Sequence, residues 1–410
     1  MESAPRIVRA GLAAIAVLLG ARAEAAPIAF DEACRAAMER APEVLLGQAD
    51  VAVAAADIET EAALPNPTLG VASATRTARL STSLALPMAL FGQRLAAARA
   101  ARRDRDVAAL DLALARLEAR WGAAEAWIAL WQAQAQAAIL SAAVADASAV
   151  LKVAETRYDA GSGARVDIVQ AKATLARAEA ERAAGDGAIA AASARLARWL
   201  GRDPSEDLIA AGDPPDPGTA LAPLDALRQR LAGHPALARD AGAEAAARAH
   251  EAAERRQRWP LVEAQVTVNQ FDPSFSGAEL VVGLALELPV FDRRDGPIAR
   301  ARAEEARASA SAALDAERLD AEATAAWREA ETARRRLAAL ARDVLPAARE
   351  VAAMTREGFA SGRLDLLRVL EADQAVRQAQ ADELEARAAW ARALAALEHA
   401  VGDAEALHAP

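Results

Sequence analysis

The sequence predicts a mainly helical chain with four β-strands, arranged as two tandem repeats of helix, two strands, long helix, turn and helix. Three observations carry that prediction. About 120 of the 410 residues are alanine, far above ordinary usage. Helix-period stretches run for tens of residues without proline, while four short segments alternate with a period of two. A turn motif recurs at a constant offset of 201 residues, from Tyr158 to Phe359 and from Gly161 to Gly362.

Composition narrows the function classes. The chain is 54% hydrophobic but only 3% aromatic, and alanine accounts for the gap. Alanine is the best helix former and the smallest apolar side chain, which suits long, thin, closely packed helices. Plentiful Leu, Ile and Val argue against disorder. A net charge of −10, with no basic stripe interleaved with aromatics, argues against nucleic-acid binding. No apolar run after residue 25 reaches the roughly 18 residues of a spanning helix, so a helical membrane transporter is not expected.

Residues 1–25 read as a signal peptide. Arg6 and Arg9 supply the charged start, 10–21 the apolar stretch, and Ala21-Arg22-Ala23 or Ala23-Glu24-Ala25 the small residues for cleavage. The stretch is too short for a transmembrane anchor, which is the alternative reading. Export of the mature chain follows. Cys34, the one cysteine, can form no internal disulfide and reads as a small buried residue of the first helix.

The first repeat is read over 26–200. One helix runs from Phe30 to Ala63, strands follow at 68–75 and 80–86, and a helix at 93–158 has one interior glycine, Gly122. That helix would be roughly 100 Å long, the length of a coiled coil or helical tube. A second helix covers 166–200, weakened at Gly185 and Gly187. Residues 201–235 are rich in Pro and Gly and read as an irregular crossover, or else a plain linker. The second repeat, 236–402, has strands at 261–271 and 280–288 and helices at 297–359, interrupted at Pro346, and 364–401. Residues 403–410 are a tail. Trp121, Trp127, Trp131 and Trp327 lie mid-helix and read as inter-helix packing.

The strands set a physical problem. Val262, Ala264, Val266 and Val268 share one face, with Glu263, Gln265, Thr267 and Asn269 on the other; Leu280, Val282, Leu284, Leu286 and Leu288 likewise share a face. Segments of 8–11 residues match tilted barrel strands. Four strands cannot close into a barrel with a lumen, and open edges cannot face lipid. Either they form a small soluble sheet covered by protein, or several chains pool them.

Tyr158-Asp159-Ala160-Gly161, followed by Asp167-Ile168-Val169-Gln170-Ala171, matches Phe359-Ala360-Ser361-Gly362, followed by Arg368-Val369-Leu370-Glu371-Ala372. The strand exits LALPMALFGQR and LELPVFDRR also correspond. On these residues the chain resembles the outer membrane factor family, the TolC-like outer membrane efflux proteins. The segment 289–304 is most similar to the CzcC-like heavy-metal branch.

The resemblance implies a homotrimer. Three chains would contribute four strands each to one β-barrel in outer membrane lipid, continued by a long α-helical barrel in the periplasm. It implies a passive exit duct for an inner-membrane pump, expected to be proton-driven, joined through a periplasmic adaptor (a membrane fusion protein), with heavy-metal cations as candidate cargo. No enzyme activity, cofactor or nucleic-acid partner is implied. The turns at 158–167 and 359–368 become the periplasmic tip, with Tyr158, Gly161, Arg165, Phe359, Gly362 and Arg363 as adaptor-docking candidates. Asp167, Glu371, Arg368 and Asp365 become gate candidates, because rings of charge select and gate in pores. Acids at helix starts also suit the helix dipole. Trp259, Phe91 and Phe291 flank the strands, where an interfacial aromatic belt is expected. Many members of the metal branch carry a lipidated N-terminal cysteine, which Cys34 does not resemble, and the loop at Arg76-Thr77-Ala78-Arg79 is very short. The four histidines (234, 250, 399, 408) have no ligand spacing, so no metal site is expected. The rival reading is a soluble periplasmic coiled-coil structural or adaptor protein. It lacks support in the two tandem hairpins, where an adaptor would have one and a Gly- and Val-rich lipoyl-like domain.

Overall fold

The structure, a computed structural model, describes residues 26–75, 78–161, 163–214, 221–272 and 276–402. The signal segment 1–25, the tail 403–410 with His408, Arg76 and Thr77 of the short loop, and 215–220 of the crossover lie outside the described residues.

In order, the elements are β1 (Ala26–Ala29), α1 (Phe30–Arg40), α2 (Pro42–Ala62), β2 (Thr68–Ala72), β3 (Leu80–Met88), α3 (Gln93–Asp159), α4 (Arg165–Trp199), β4 (Leu208–Ala211), α5 (Leu224–Arg230), α6 (Pro235–Arg256), β5 (Val262–Gln270), β6 (Ala278–Leu286), α7 (Asp295–Ala339), α8 (Leu345–Ala360) and α9 (Leu366–Val401). The chain divides into two compact units. The first comprises Met1–Ala41, Arg120–Thr219 and Ala330–Ala395; the second comprises Pro42–Ala119, Ala220–Glu329 and Ala396–Pro410.

Several boundaries differ from the sequence reading. The helix read from 30 to 63 is two, because Pro42 has no N–H and starts a new helix at its first position while Ala41 turns extended, ψ 141°. The helix read through Pro346 changes register just before it, in a π-helical segment, Leu340–Val344. A wider turn relieves the clash between the proline ring and the carbonyl four residues before it, that of Arg342. β3 runs on to Met88 through Pro87. Its pairing with β2 has already ended at Thr68↔Ala85, so β3 has a neighbour on one side only there, where a missing N–H is tolerated. β6 stops at Leu286 because its partner β5 begins at Val262.

The first unit is built on a core of Ile28, Trp127, Ile128, Leu130, Leu196, Leu200 and Leu208. Trp127 is fully buried; its indole N–H donates to the Ile28 carbonyl at 2.9 Å and its ring meets Phe30 edge-on at 5.4 Å. That bond anchors β1, which pairs in parallel with β4 in a two-stranded sheet. The four-strand expectation is corrected here: six strands are described, and β4 lies inside the crossover read as irregular. Cys34 is buried against Phe30, Trp121, Ala124 and Ala395. Gly122 is required by close approach, since a Cβ there would stand 2.3 Å from the ring of Trp199.

At 67 residues, α3 is about 100 Å long. Among the described residues it alone is long and apolar enough in one stretch to meet the composition of a membrane span. This corrects the expectation that no run past residue 25 would qualify. Alanine produces the composition, while Trp127, Ile128, Leu130 and Trp131 are spent on the core of the first unit.

The second unit holds the four-stranded antiparallel sheet, ordered β2-β3-β5-β6. Its helices pack around Leu231, Ala323 and Ala400. The indole N–H of Trp327 donates to the Ala222 carbonyl at 3.0 Å.

Candidate functional site

The sheet has one apolar and one polar face. Residues directly opposite in an antiparallel ladder share a face. The register places Leu69 by Leu84, Leu84 by Val266, Val266 by Val282, and Ala264 by both Leu86 and Leu284. The other face carries Ser81 beside Asn269 and Asn269 beside Glu279. Ser81 Oγ donates to Asn269 Oδ1 at 2.8 Å, and Asn269 Nδ2 donates to Glu279 at 3.3 Å. The apolar face is uncovered, with Leu280, Val282 and Leu284 66%, 72% and 74% exposed, and the opposite face of β6 is open as well, with Val281 44% exposed. A soluble sheet does the reverse, turning its apolar side to a core. Among the described residues the two outer strands, β2 and β6, each keep one unpaired edge.

At the strand ends, Phe91 stacks on Trp259 with ring centres 5.3 Å apart, and Phe291 is fully exposed. Gln93, nearly buried, fixes this corner; its amide N–H donates to the Trp259 carbonyl at 3.1 Å and its oxygen accepts from the Phe91 N–H at 3.0 Å. Arg294 takes a left-handed backbone, φ 57°, held by Asp292, which accepts its N–H at 2.7 Å, and by Glu254, which accepts its guanidinium at 2.7 Å.

The two helix–helix turns are built alike. Gly161 and Gly362 have φ of 72° and 74°, a conformation that glycine adopts freely. Each N–H bonds back three residues, Gly161 to Tyr158 and Gly362 to Phe359, both at 2.9 Å. The turns belong to one cluster of Val150, Ala154, Ala171, Phe359, Leu366 and Val369. Phe359 itself is buried, with the Arg157 guanidinium 4.5 Å over its ring and bonded to its carbonyl. Its ring packs within that cluster, while its repeat mate Tyr158 is exposed. Arg165 is an exposed first residue of α4, and Arg363 donates to Ser361 Oγ at 2.9 Å.

Three of the four gate candidates come together at the start of α9. Asp365 accepts the Arg368 backbone N–H at 3.1 Å, and the Arg368 side chain pairs with Glu371 at 3.5 Å. Both side chains of that pair are more than half exposed. Asp167 stands apart on α4 and accepts the Ala164 N–H at 3.4 Å. Asp365 and Asp167 thus cap helix starts.

Sequence reasoning missed a buried group nearby. Asp373 on α9 is 4% exposed and is held by Arg356 of α8 at 2.8 Å; the same guanidinium reaches Asp146 of α3 at 2.9 Å. Burial pushes the Asp373 carboxyl up against the pull of Arg356. The repeat holds the signal that would have found it. At the matching positions of the first repeat stand Glu155 and Lys172, which pair at 3.5 Å with the charges exchanged. Each turn is thus braced by one ion pair of opposite polarity.

A family profile described as Outer membrane efflux protein matches residues 33–202 and 226–403. The chain belongs to the outer membrane efflux protein family. The "Cobalt-zinc-cadmium resistance protein CzcC" of Cupriavidus metallidurans is 26% identical over 320 residues, covering 77% of this chain and 76% of that one. The fold is shared with the outer membrane protein VceC of Vibrio cholerae, at a TM-score of 0.72 and 19% identity over 91% of this chain and 96% of that one. It is shared too with the CmeC outer membrane channel of Campylobacter jejuni, at 0.75 and 14%, over 92% and 86%. This outer membrane efflux protein is a transport protein of the outer membrane.

Proposed function

We propose that three copies of this chain pool their sheets into one barrel and form the passive exit duct of a tripartite efflux system. The observation that carries the reading is the uncovered apolar face of an open-edged antiparallel sheet in a chain of this family. Lipid is the medium that an uncovered face of Leu and Val suits, and neighbouring copies are the partners that two open edges require. The helices line the periplasmic part of the duct, and the turns at Gly161 and Gly362 form the tip that meets a periplasmic adaptor and, through it, an inner-membrane pump driven by protons.

At that tip Asp167, Asp365, Arg368 and Glu371 ring the aperture. Each copy brings three acids against one arginine, so the closed gate is cation-attracting. Divalent metal cations are the cargo class that this charge and the CzcC relative favour. Planar-bilayer recording tests the gate. Glu371→Ala is expected to raise single-channel conductance and weaken cation preference. Conductance and selectivity equal to wild type would remove Glu371 from the aperture.

A further inference from the structure

Two clefts in the second unit share Trp259 as a common wall. One, of about 630 Å3, is lined by Arg255, Arg258, Trp259, Ile298 and Arg302; three of these five are arginines and none is acidic. The other, of about 540 Å3, has an apolar side of Leu64, Pro65, Pro87 and Leu261 and a polar side that includes Glu61, Arg94 and Arg294. Trp259 leads through Pro260 and Leu261 directly into β5, so both clefts sit where the apolar face of the sheet ends.

The arginines are placed but not used up. Arg255 and Arg302 share one carboxylate, Glu251, at 2.8 and 2.7 Å. Arg258 bonds Asp295 and the Arg293 carbonyl. A guanidinium has five N–H donors in a planar fork, so each retains donors for a further oxyanion. Phosphate matches that fork, and an indole beside it suits the boundary between headgroup and chains.

We propose that the cleft of Arg255, Arg258 and Arg302 holds the phosphate of an anionic phospholipid headgroup, with the lipid's chains lying along the adjoining apolar cleft. The inference rests on the membrane reading above. A free phosphate would use the first cleft alone; the second, apolar one is what points to a lipid. A zwitterionic headgroup brings a cation among three arginines and is disfavoured.

Native mass spectrometry of the detergent-released protein tests this, with phosphatidylglycerol or phosphatidylcholine added in turn. Phosphatidylglycerol is expected to be retained about ten-fold more strongly. Arg258→Ala/Arg302→Ala should abolish the difference, while Arg300→Ala, which removes an exposed arginine paired with Glu304, should not. Equal retention of the two lipids by wild type overturns the proposal even if the double variant fails to assemble. So does displacement of the lipid by inorganic phosphate alone, which would make the site one for a free anion. A protein that needs no detergent at all would instead overturn the membrane reading beneath it.

Discussion

Val281 and Val282 are adjacent, chemically identical and on opposite faces of β6, so arginine at each isolates the medium the two faces meet. Val282, the middle residue of the strand, lies opposite Val266 on the apolar face; Val281 lies opposite Thr267 on the polar face. Nine residues at ~3.4 Å each, tilted by ~40°, cross roughly 23 Å, close to the ~25 Å apolar band of a barrel. Residue 282 then falls near the midplane, where an arginine facing lipid costs about 2–4 kcal/mol per chain. Three copies multiply that to roughly 6–12 kcal/mol per trimer, enough to prevent insertion. In the proposed barrel Val281→Arg faces the lumen, where the charge stays in water, and should cost little. The assay is refolding from urea into phospholipid vesicles, read as the fraction of heat-resistant trimer on gels. Val282→Arg should lose nearly all of it and Val281→Arg little. If Val282→Arg inserted like wild type, or Val281→Arg were the more damaging, the lipid-facing assignment would fail. In water, with 72% and 44% of the two side chains already exposed, both changes would be mild.

Arg356→Ala strands Asp373, and breaking such a pair costs about 3–5 kcal/mol when both partners are buried. Arg356 is half exposed, so about 2 kcal/mol is expected, seen as a lower thermal midpoint by circular dichroism and recovered by adding Asp373→Asn. The raised Asp373 carboxyl means that the folded state holds its proton more tightly than the unfolded one. Stability from this group is present below its unfolded pKa of ~3.9 and falls as pH rises through the folded value, a slope that Asp373→Asn removes. His250 behaves in the window above. Its hydrogen bond to Asp104, 2.9 Å long, raises its pKa, so its contribution is full below ~6.5 and is lost as pH rises through the folded value. Thermal melts between pH 5.5 and 8.5 should show that decline in wild type and not in His250→Gln.

The strands β5 and β6 are legible because one face of β6 is entirely apolar and that of β5 is apolar except at Gln270, so alternation survives in nine residues. β1 and β4 were not: APIA and LIAA are four residues each, too short for a period, and they pair across some 180 residues of chain. Trp127 was placed correctly as packing, but no local pattern says that its indole holds the Ile28 carbonyl. The break at Ala41-Pro42 is legible in the proline alone, because helix-period sequence continues on both sides of it. The apolar stretch of α3 was underestimated because alanine adds hydropathy without large side chains. The two turns were readable from the glycines and their fixed offset. Burial does not follow from the repeat: Phe359 is buried and its mate Tyr158 exposed, because homologous positions in a repeat need not share an environment. The Arg356–Asp373 brace is not signalled by either charge alone; the exchanged pair Glu155–Lys172 at the same two positions of the first repeat is the sign of it.

The most direct test of the shared wall is the mass of the particle that detergent releases from outer membrane fractions, measured by sedimentation in density-matched detergent. The account predicts three chains per particle. A single chain, stable in water once the detergent is removed, would contradict it.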